Sequence, residues 1–151
     1  MIGVISDTHG LVRPQVFDVF QEVQLIIHAG DIGNAEVLTK LESIAPVIAV
    51  RGNNDREEWS SYLPTTQVVE QLNQFFYVLH EVEHLDLDPG AAEFSAVIFG
   101  HSHRPVVEYK HGVLFLNPGS AGPRRFSLPI SVARLNMTPA GLHPEIIDLT
   151  G

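Results

Sequence analysis

Short apolar runs, each ending in a polar or glycine-rich turn, recur along the whole chain, and this pattern predicts buried β-strands. The runs are rich in Val, Ile, Leu and Phe, residues that pack well in sheets. The predicted strands cover residues 1–6, 25–28, 47–50, 66–70, 75–80, 96–99, 106–109, 113–116, 130–135 and 145–149.

Two segments between the first three strands have apolar residues at helical spacing instead. The first covers residues 14–23 and begins with Pro14, which suits a first helical turn. The second covers residues 34–44, with Asn34 as its N-cap. The chain therefore starts as β-α-β-α-β, which builds a parallel sheet covered by helices.

The second half of the chain contains strands and turns but no strong helical pattern, and Lys110-His111-Gly112 is typical of a hairpin turn. A βαβ half followed by a strand-rich half predicts an α/β (α+β) fold, with two sheets packed face to face and helices outside. We expect one domain over residues 1–151, a length at which a core forms without disulfides.

Composition narrows the setting of the protein. There is no Cys, and the first residues carry neither a basic segment nor a long apolar run, so we expect an unexported, cytoplasmic protein. No apolar stretch approaches a membrane span, so no membrane partner is expected. The net charge of −9 argues against duplex nucleic acid, which requires a basic surface.

Side chains of metal-binding types follow five of the predicted strands. The carboxyl ends of strands are where sites assemble in open α/β sheets, so we expect these side chains to meet. Most of them, taken alone, are better explained as a turn, a helix cap or a surface residue. Their recurrence at five strand ends favours one shared site. The candidates are Asp7, His9, Asp31, Asn53, Asp55, His80, His101 and His103.

The order of these motifs resembles the calcineurin-like metallophosphoesterase superfamily, and within it the small single-domain phosphodiesterases of bacteria and archaea. The resemblance runs from residue 5 to residue 120 and implies a four-layer α-β-β-α sandwich of the metallo-dependent phosphatase type. The matching stretches are Ser6-Asp7-Thr8-His9-Gly10, His28-Ala29-Gly30-Asp31, Val50-Arg51-Gly52-Asn53-Asn54-Asp55, Gly100-His101-Ser102-His103-Arg104-Pro105 and Leu116-Asn117-Pro118-Gly119-Ser120.

The resemblance also implies a pair of divalent metal ions and a function. A hydroxide between the ions would attack a small phosphate ester, and a phosphodiester is the expected substrate. Carboxylate, amide and imidazole ligands suit Mn²⁺, the expected ion, with Ni²⁺, Fe, Zn²⁺ or Mg²⁺ as alternatives. By resemblance, Asp7, His9 and His103 hold the first ion, Asn53, His80 and His101 hold the second, and Asp31 bridges both.

The catalytic candidates are Asp31, Asn53 and Asn54. Asn54 departs from the family pattern, because many relatives carry a histidine there that acts as a general acid. An amide cannot donate a proton usefully near pH 7, so the proton for the leaving group must come from elsewhere.

Two more departures concern the segment after the strand at 75–80. Glu81 follows His80 where relatives usually have glycine, and its carboxylate either repels an anionic substrate or points to solvent. The segment 81–95 is shorter than usual and leaves room for about one helical turn, which predicts a more open cleft.

Other polar residues have ordinary interpretations. His84, His111 and His143 are expected on the surface, His28 in packing or behind the ligands, and Asn117 and Ser120 in a turn behind the histidines. Arg51 and Arg56 could contact a substrate phosphate, but a salt bridge is the simpler expectation for each.

An interaction protein on the same fold is the alternative function. The retromer scaffold subunit resembles this family yet works chiefly by binding partners, and the Asn54 and Glu81 departures keep this alternative open. The complete set of seven ligand positions favours the hydrolase. A dinucleotide-binding function is excluded because no G-x-G-x-x-G follows the first strand. The chain could also form a homo-oligomer.

Overall fold

The computed structural model describes residues 1–150, so Gly151, the last residue of the predicted domain, lies outside it. All ten predicted strands are present, most with small shifts at their ends, whereas the last two are longer than predicted because they pair as one hairpin over residues 131–148. They are β1 (Ile2–Ile5), β2 (Leu25–His28), β3 (Val47–Ala49), β4 (Thr66–Gln71), β5 (Gln74–Leu79), β6 (Ala96–Ile98), β7 (Val106–Lys110), β8 (Val113–Asn117), β9 (Ser131–Thr138) and β10 (Gly141–Asp148).

The first sheet has the strand order β10-β9-β1-β2-β3. Strands β1, β2 and β3 run parallel, as the predicted β-α-β-α-β start requires, while β9 and β10 add an antiparallel edge. Because the three parallel strands share one direction, their carboxyl ends lie along one edge of the sheet.

Two helices connect the parallel strands. The first, α1 (Pro14–Val19), begins with proline as predicted but ends before residue 23, because the chain turns there to place Leu25 beside Ile2. The second, α2 (Ala35–Glu42), is capped by Asn34, whose side-chain oxygen accepts a 3.2 Å hydrogen bond from the Val37 amide. Within residues 1–150 no helix is both long and apolar enough to cross a membrane.

The second sheet has the strand order β4-β5-β6-β8-β7. Strands β5, β6 and β8 are parallel, whereas β4 and β7 pair antiparallel with their neighbours. The predicted turn between β7 and β8 consists of His111 and Gly112, both at positive φ, as a two-residue hairpin turn demands.

The two sheets pack face to face over an apolar core that includes Val4, Ile27, Phe76 and Leu116. The helices cover the other face of the first sheet through a second cluster that includes Phe20 and Leu41. Residues 81–95 cover the outer face of the second sheet with a 3₁₀ turn at Val82–His84 and one further turn. The α-β-β-α arrangement is therefore confirmed, with its last layer reduced to this short segment.

Candidate metal centre

The loops that follow β1, β2, β5 and β6 bring six of the seven predicted ligands into two neighbouring groups. In each group, one potential ligand atom per residue lies within 4.8 Å of the others. The first group is Asp7, His9 and His103, and the second group is Asp31, His80 and His101. Segments far apart in sequence thus converge where the two sheets meet.

A carboxylate oxygen of Asp7 lies close to imidazoles of both groups. Asp7 Oδ1 lies 3.4 Å from His103 Nε2 and 3.8 Å from Nε2 of both His9 and His80. The Asp7 side chain is fully buried, so this oxygen faces the imidazoles and not water.

Asp31 reaches both groups. Its Oδ2 lies 3.3 Å from His80 Nε2 in its own group and 3.9 Å from His9 Nε2 in the first group. A carboxylate in this position is suited to bridge two ions, which typically lie about 3.5–4 Å apart in two-metal sites.

The backbone is strained at most of these positions. Asp7, His9, Asp31, His101 and His103 all have φ between 46° and 73°, a left-handed region that is costly for residues other than glycine. Such a conformation costs about 1–3 kcal/mol and persists only where the surroundings impose it. Its concentration at the predicted ligands favours a functional constraint over a folding one.

Hydrogen bonds orient both carboxylates. Asp7 Oδ2 accepts bonds from Ser6 Oγ at 2.7 Å and from the His101 amide at 3.1 Å. Asn54 donates its backbone amide to Asp31 Oδ1 at 2.9 Å and its side-chain amide to Oδ2 at 3.1 Å. Asn54 therefore contacts the predicted bridging ligand and positions it.

Burial and neighbouring histidines set the ionisation of the carboxylates. Burial by itself raises the pKa of Asp7 and Asp31, but the histidines outweigh it. The neighbouring imidazoles of His103 and His80 hold the pKa of Asp7 below its usual range. His80 and the Asn54 amide lower the pKa of Asp31 to about 2. Both groups are thus carboxylates near neutral pH, as a metal ligand must be.

His80 is held in one orientation. Its Nδ1 lies 2.8 Å from the Ala29 carbonyl oxygen, so this nitrogen carries the proton it donates. Nε2 is then free to accept a metal ion. Burial lowers the pKa of His80, but the nearby carboxylates of Asp31 and Asp7 raise it above its ordinary value.

Asp55 ties two of the ligand-bearing loops together. Its carboxylate accepts hydrogen bonds of 3.0–3.1 Å from the amides of Ile32, Gly33 and Gly52, and it is almost fully buried. Asp55 was a ligand candidate on sequence grounds. The structure instead places its carboxylate on backbone amides of the loops that follow β2 and β3, so Asp55 fixes the shape of the site.

The predicted supporting residues lie behind the centre. Asn117 donates to the Gly100 carbonyl at 3.0 Å and accepts from the Gly119 amide at 2.9 Å, which fixes the turn before His101. Ser120 donates to the Asp7 carbonyl at 3.1 Å.

His28 is a buried neutral imidazole. Thr8 Oγ1 donates to the Ile32 carbonyl, so it accepts from His28 Nε2 at 3.0 Å, and His28 Nδ1 accepts from the Gly30 amide at 3.1 Å. Full burial lowers the pKa of His28 to about 4 despite the nearby carboxylates.

Two glycines allow the loops to approach so closely. A Cβ on Gly52 would lie 2.1 Å from the Asp31 amide nitrogen, and one on Gly100 would lie 2.0 Å from Ser6 Oγ. Any side chain at either position would displace a carboxylate or its support.

A cavity of about 750 Å³ opens beside the second group. It adjoins His80, and Asn53, the seventh predicted ligand, lies on its wall. Arg51, Arg56 and His84 also line it. Salt bridges were the simpler expectation for the two arginines, but this is wrong: within residues 1–150 no carboxylate oxygen lies within 4.0 Å of either.

Glu81 does not point simply to solvent. Its Oε1 lies 3.9 Å from His101 Nδ1 and its Oε2 lies 3.2 Å from His84 Nε2, and the side chain is 20% exposed. His84 is on the surface as predicted, but its place at the cavity was missed, because the sequence does not reveal which face of a short 3₁₀ turn meets the cleft.

The side chains present fit a pair of divalent ions. Within the described residues, Asp7 Oδ1, His9 Nε2 and His80 Nε2 are buried and have no hydrogen-bond partner, although they converge. Unpaired buried polar atoms are costly, and a cation among them would satisfy all three. Carboxylate oxygens with imidazole nitrogens are the ligand set of borderline divalent metals.

Comparisons with known proteins agree with this chemistry. The family model of the calcineurin-like phosphoesterase superfamily domain matches residues 1–139. A probable metallophosphoesterase of Methanothermobacter thermautotrophicus is 35% identical over 97% of this chain and 91% of its own length. Among solved structures, an archaeal phosphodiesterase superposes with a TM-score of 0.76 at 25% identity, covering 97% of this chain and 99% of its own.

The fold is also shared with a protein of different name. Vps29 of Chaetomium thermophilum superposes with a TM-score of 0.75, covering 97% of this chain and 96% of its own, at 21% identity. At that identity the likeness concerns the fold alone.

Proposed function

Because the chain belongs to the calcineurin-like phosphoesterase superfamily, we propose that it is a dinuclear metal-dependent phosphoesterase that hydrolyses phosphodiesters. The observation that carries this proposal is the convergence of two carboxylates and four imidazoles from four separate loops, with buried, unpartnered atoms facing one another.

The proposed ligands are those expected from the sequence. Asp7, His9 and His103 would hold one ion, Asn53, His80 and His101 the other, and Asp31 both. The reach of Asp31 Oδ2 to histidines of both groups supports its bridging role. When bound, two divalent ions would activate water near neutral pH and neutralise charge on a phosphoryl group.

The chain itself contributes orientation. Asn54 holds Asp31, and the Ala29 carbonyl holds His80, so both ligands are pre-aligned before substrate arrives. Asn54 donates both of its N–H contacts to a carboxylate and has no acidic proton, so it binds and positions without protonating a leaving group.

Several finer points stay predictions from the sequence. Mn²⁺ is the proposed ion, because oxygen donors, including Asp7 and Asp31, accompany the imidazoles. We also propose one domain over residues 1–151, a cytoplasmic location, and small phosphate esters in preference to duplex nucleic acid for a chain of net charge −9. The partner-binding alternative is not favoured over the hydrolase, since none of the ligand positions is lost.

The test is to strip the protein of metal, reconstitute it with Mn²⁺, Ni²⁺, Zn²⁺, Fe²⁺ or Mg²⁺, and assay phosphate monoesters and diesters. We expect diester hydrolysis that depends on metal and a stoichiometry near two ions per chain by elemental analysis. His143→Ala is a matched control, because His143 is a histidine on β10 outside the centre. A stoichiometry of zero with an unchanged melting temperature would refute the proposal.

A further inference from the structure

The cavity lies beside the second group of candidate ligands and not beside the first group. Its wall includes His80 and Asn53 but neither Asp7, His9 nor His103. A volume of about 750 Å³ is enough for a small organic ligand, since binding sites usually measure roughly 300–1,000 Å³. The part of a substrate that is not being cleaved therefore has room next to the second group.

Two guanidinium groups on this wall have no acidic partner. Within residues 1–150, Arg51 and Arg56 have no carboxylate oxygen within 4.0 Å, although the whole chain carries 18 acidic and only 9 basic residues. Acidic residues outnumber basic residues two to one in this chain, so two arginines of one cavity that form no ion pair are available for an anionic ligand.

Hydrogen bonds to the backbone hold the Arg56 side chain and the main chain at Arg51. Arg56 Nε donates to the Asn53 carbonyl at 3.0 Å, which leaves its terminal nitrogens for another acceptor. The Arg51 amide donates to the Pro64 carbonyl at 2.8 Å and so joins this loop to the segment that carries Thr65 and Thr66. Both threonines line the same cavity.

Three acidic residues also line the cavity, namely Asp55, Glu81 and Asp86. The Asp55 carboxylate accepts hydrogen bonds from three backbone amides, and Glu81 Oε2 lies 3.2 Å from His84 Nε2, so both already have partners. Asp86 is exposed to solvent. The two arginines are therefore the charged groups of the cavity that are available to bind an anion.

We propose that Arg51 and Arg56 form a second anion site that binds an uncleaved phosphate of the substrate. The preferred substrates are then phosphodiesters whose retained group carries a further phosphate, as in an ester of a nucleoside 3′,5′-bisphosphate. This inference rests on the proposed function, which places the scissile phosphate at the metal centre. Guanidinium donors match phosphate oxygens in geometry and charge, which makes arginine the suitable residue for such a site.

The substrate test uses one leaving group throughout. The p-nitrophenyl ester of thymidine 5′-phosphate is compared with the same ester carrying a 3′-phosphate, on the Mn²⁺-loaded protein. We expect the ester with the 3′-phosphate to have the lower KM. Arg51→Gln and Arg56→Gln should each reduce this preference by about 10-fold, the usual effect of losing one hydrogen bond to a charged group. Arg125→Gln is the control, because it removes the same charge from an exposed loop outside the cavity.

A binding measurement separates this proposal from the proposed function. Calorimetry with thymidine 3′,5′-bisphosphate and thymidine 5′-phosphate, on the metal-free and the Mn²⁺-loaded protein, should show the same preference and the same loss in the two variants. If the loaded protein cleaves neither ester, the proposed function fails, while binding still decides the anion site.

Three results would overturn the anion site. The first is equal binding of the two nucleotides. The second is an equal loss for both nucleotides in the variants, which would place the arginines on the scissile phosphate. The third is a lower KM for p-nitrophenyl phosphorylcholine than for the bisphosphate ester. This result would mean that the acidic residues of the cavity bind a cationic group of the substrate. Unchanged thermal melting of the variants, together with retention of the preference in Arg51→Lys, excludes misfolding as the cause.

Discussion

The two sheets contribute different chemistry to the candidate centre. The loops of the first sheet carry all the proposed oxygen ligands, from Asp7, Asp31 and Asn53, together with His9. The second sheet carries only proposed imidazole ligands, from His80, His101 and His103. The oxygen side would therefore carry the negative charge that attracts cations, whereas the imidazole side would complete the coordination with nitrogen donors.

The two sides also rely on different support. The carboxylates of the oxygen side are held by backbone amides and by Ser6 and Asn54. The imidazole side depends on carbonyl acceptors and on Asn117, which fixes the turn before His101. Ions bound by residues of both sheets would add a link between them, so metal binding and folding stability are expected to be coupled.

The largest expected effect comes from changing one proposed ligand on each side, both taken from the second group. These are Asp31 on the oxygen side and His101 on the imidazole side. Asp31→Asn takes a charge from both ions, whereas His101→Gln takes a neutral donor from one. We expect Asp31→Asn to reduce diester hydrolysis by about 10³-fold, at the upper end for loss of one electrostatic contact. His101→Gln should cost roughly 10–100-fold, as changes around metal sites commonly do.

Metal content distinguishes the two variants independently of rate. Elemental analysis after Mn²⁺ loading should find both ions depleted in Asp31→Asn and one ion retained in His101→Gln. If Asp31→Asn kept two ions and full activity, the bridging assignment and the charge difference between the sides would both be wrong.

A second comparison concerns the supporting residues Asp55 and Asn117. Asp55→Ala leaves three backbone amides without a charged acceptor, and we expect it to lower the free energy of unfolding by about 4 kcal/mol. Asn117→Ala removes neutral hydrogen bonds and should cost about 2 kcal/mol.

Urea unfolding of the metal-free proteins measures both values, and the m-values should stay unchanged if only stability is altered. We expect the charged hydrogen bonds of Asp55 to support the oxygen side more strongly than the neutral ones of Asn117 support the imidazole side. An Asn117 variant that is as unstable as the Asp55 variant would contradict this expectation.

Much of this arrangement could be predicted from the sequence because it is encoded locally. Asp7-Thr8-His9 and His101-Ser102-His103 each directly follow a strand, so the pattern of strands also locates the ligands. Asn34 was recognisable as a cap for the same reason.

Properties that arise from contacts between distant segments were not accessible in this way. Asp55 bonds amides of two loops, and Glu81 lies near His101, which follows a different strand. The unpaired state of Arg51 and Arg56 likewise depends on where every acidic residue lies in the fold.

The pH dependence of stability tests the buried support of the oxygen side. The pKa of His28 is lowered to about 4 in the folded protein, from about 6.5 when unfolded. Below pH 6.5 the unfolded chain binds a proton that the folded chain does not, so stability falls as the pH drops from 6.5 towards 4. The full contribution is about 3 kcal/mol, since one pKa unit corresponds to about 1.4 kcal/mol.

His28→Gln isolates this contribution, because glutamine does not titrate and the other ionisable groups are shared. The measurement is urea unfolding of both metal-free proteins at pH 7 and pH 5. The parent protein should lose about 2 kcal/mol more stability than the variant as the pH falls over this range. A stability difference that stays constant over this range would mean that folding leaves the pKa of His28 unchanged.

The smallest expected effect concerns Asn54, which belongs to the oxygen side but binds no ion in this proposal. Asn54→Ala removes the 3.1 Å bond from its side chain to Asp31 and keeps the 2.9 Å bond from its backbone amide, so we expect a loss of less than about 10-fold. A general acid, in contrast, contributes about 10²–10⁴-fold and matters most for poor leaving groups. A positioning role predicts an equal loss for every leaving group.

The measurement is a plot of log kcat against leaving-group pKa for a series of diesters, in the parent protein and the variant. Two parallel, steep lines are expected, because no acid replaces the missing histidine. Lines that diverge at poor leaving groups would assign proton delivery to Asn54 itself, and a flat parent line would assign it to another residue of the cavity.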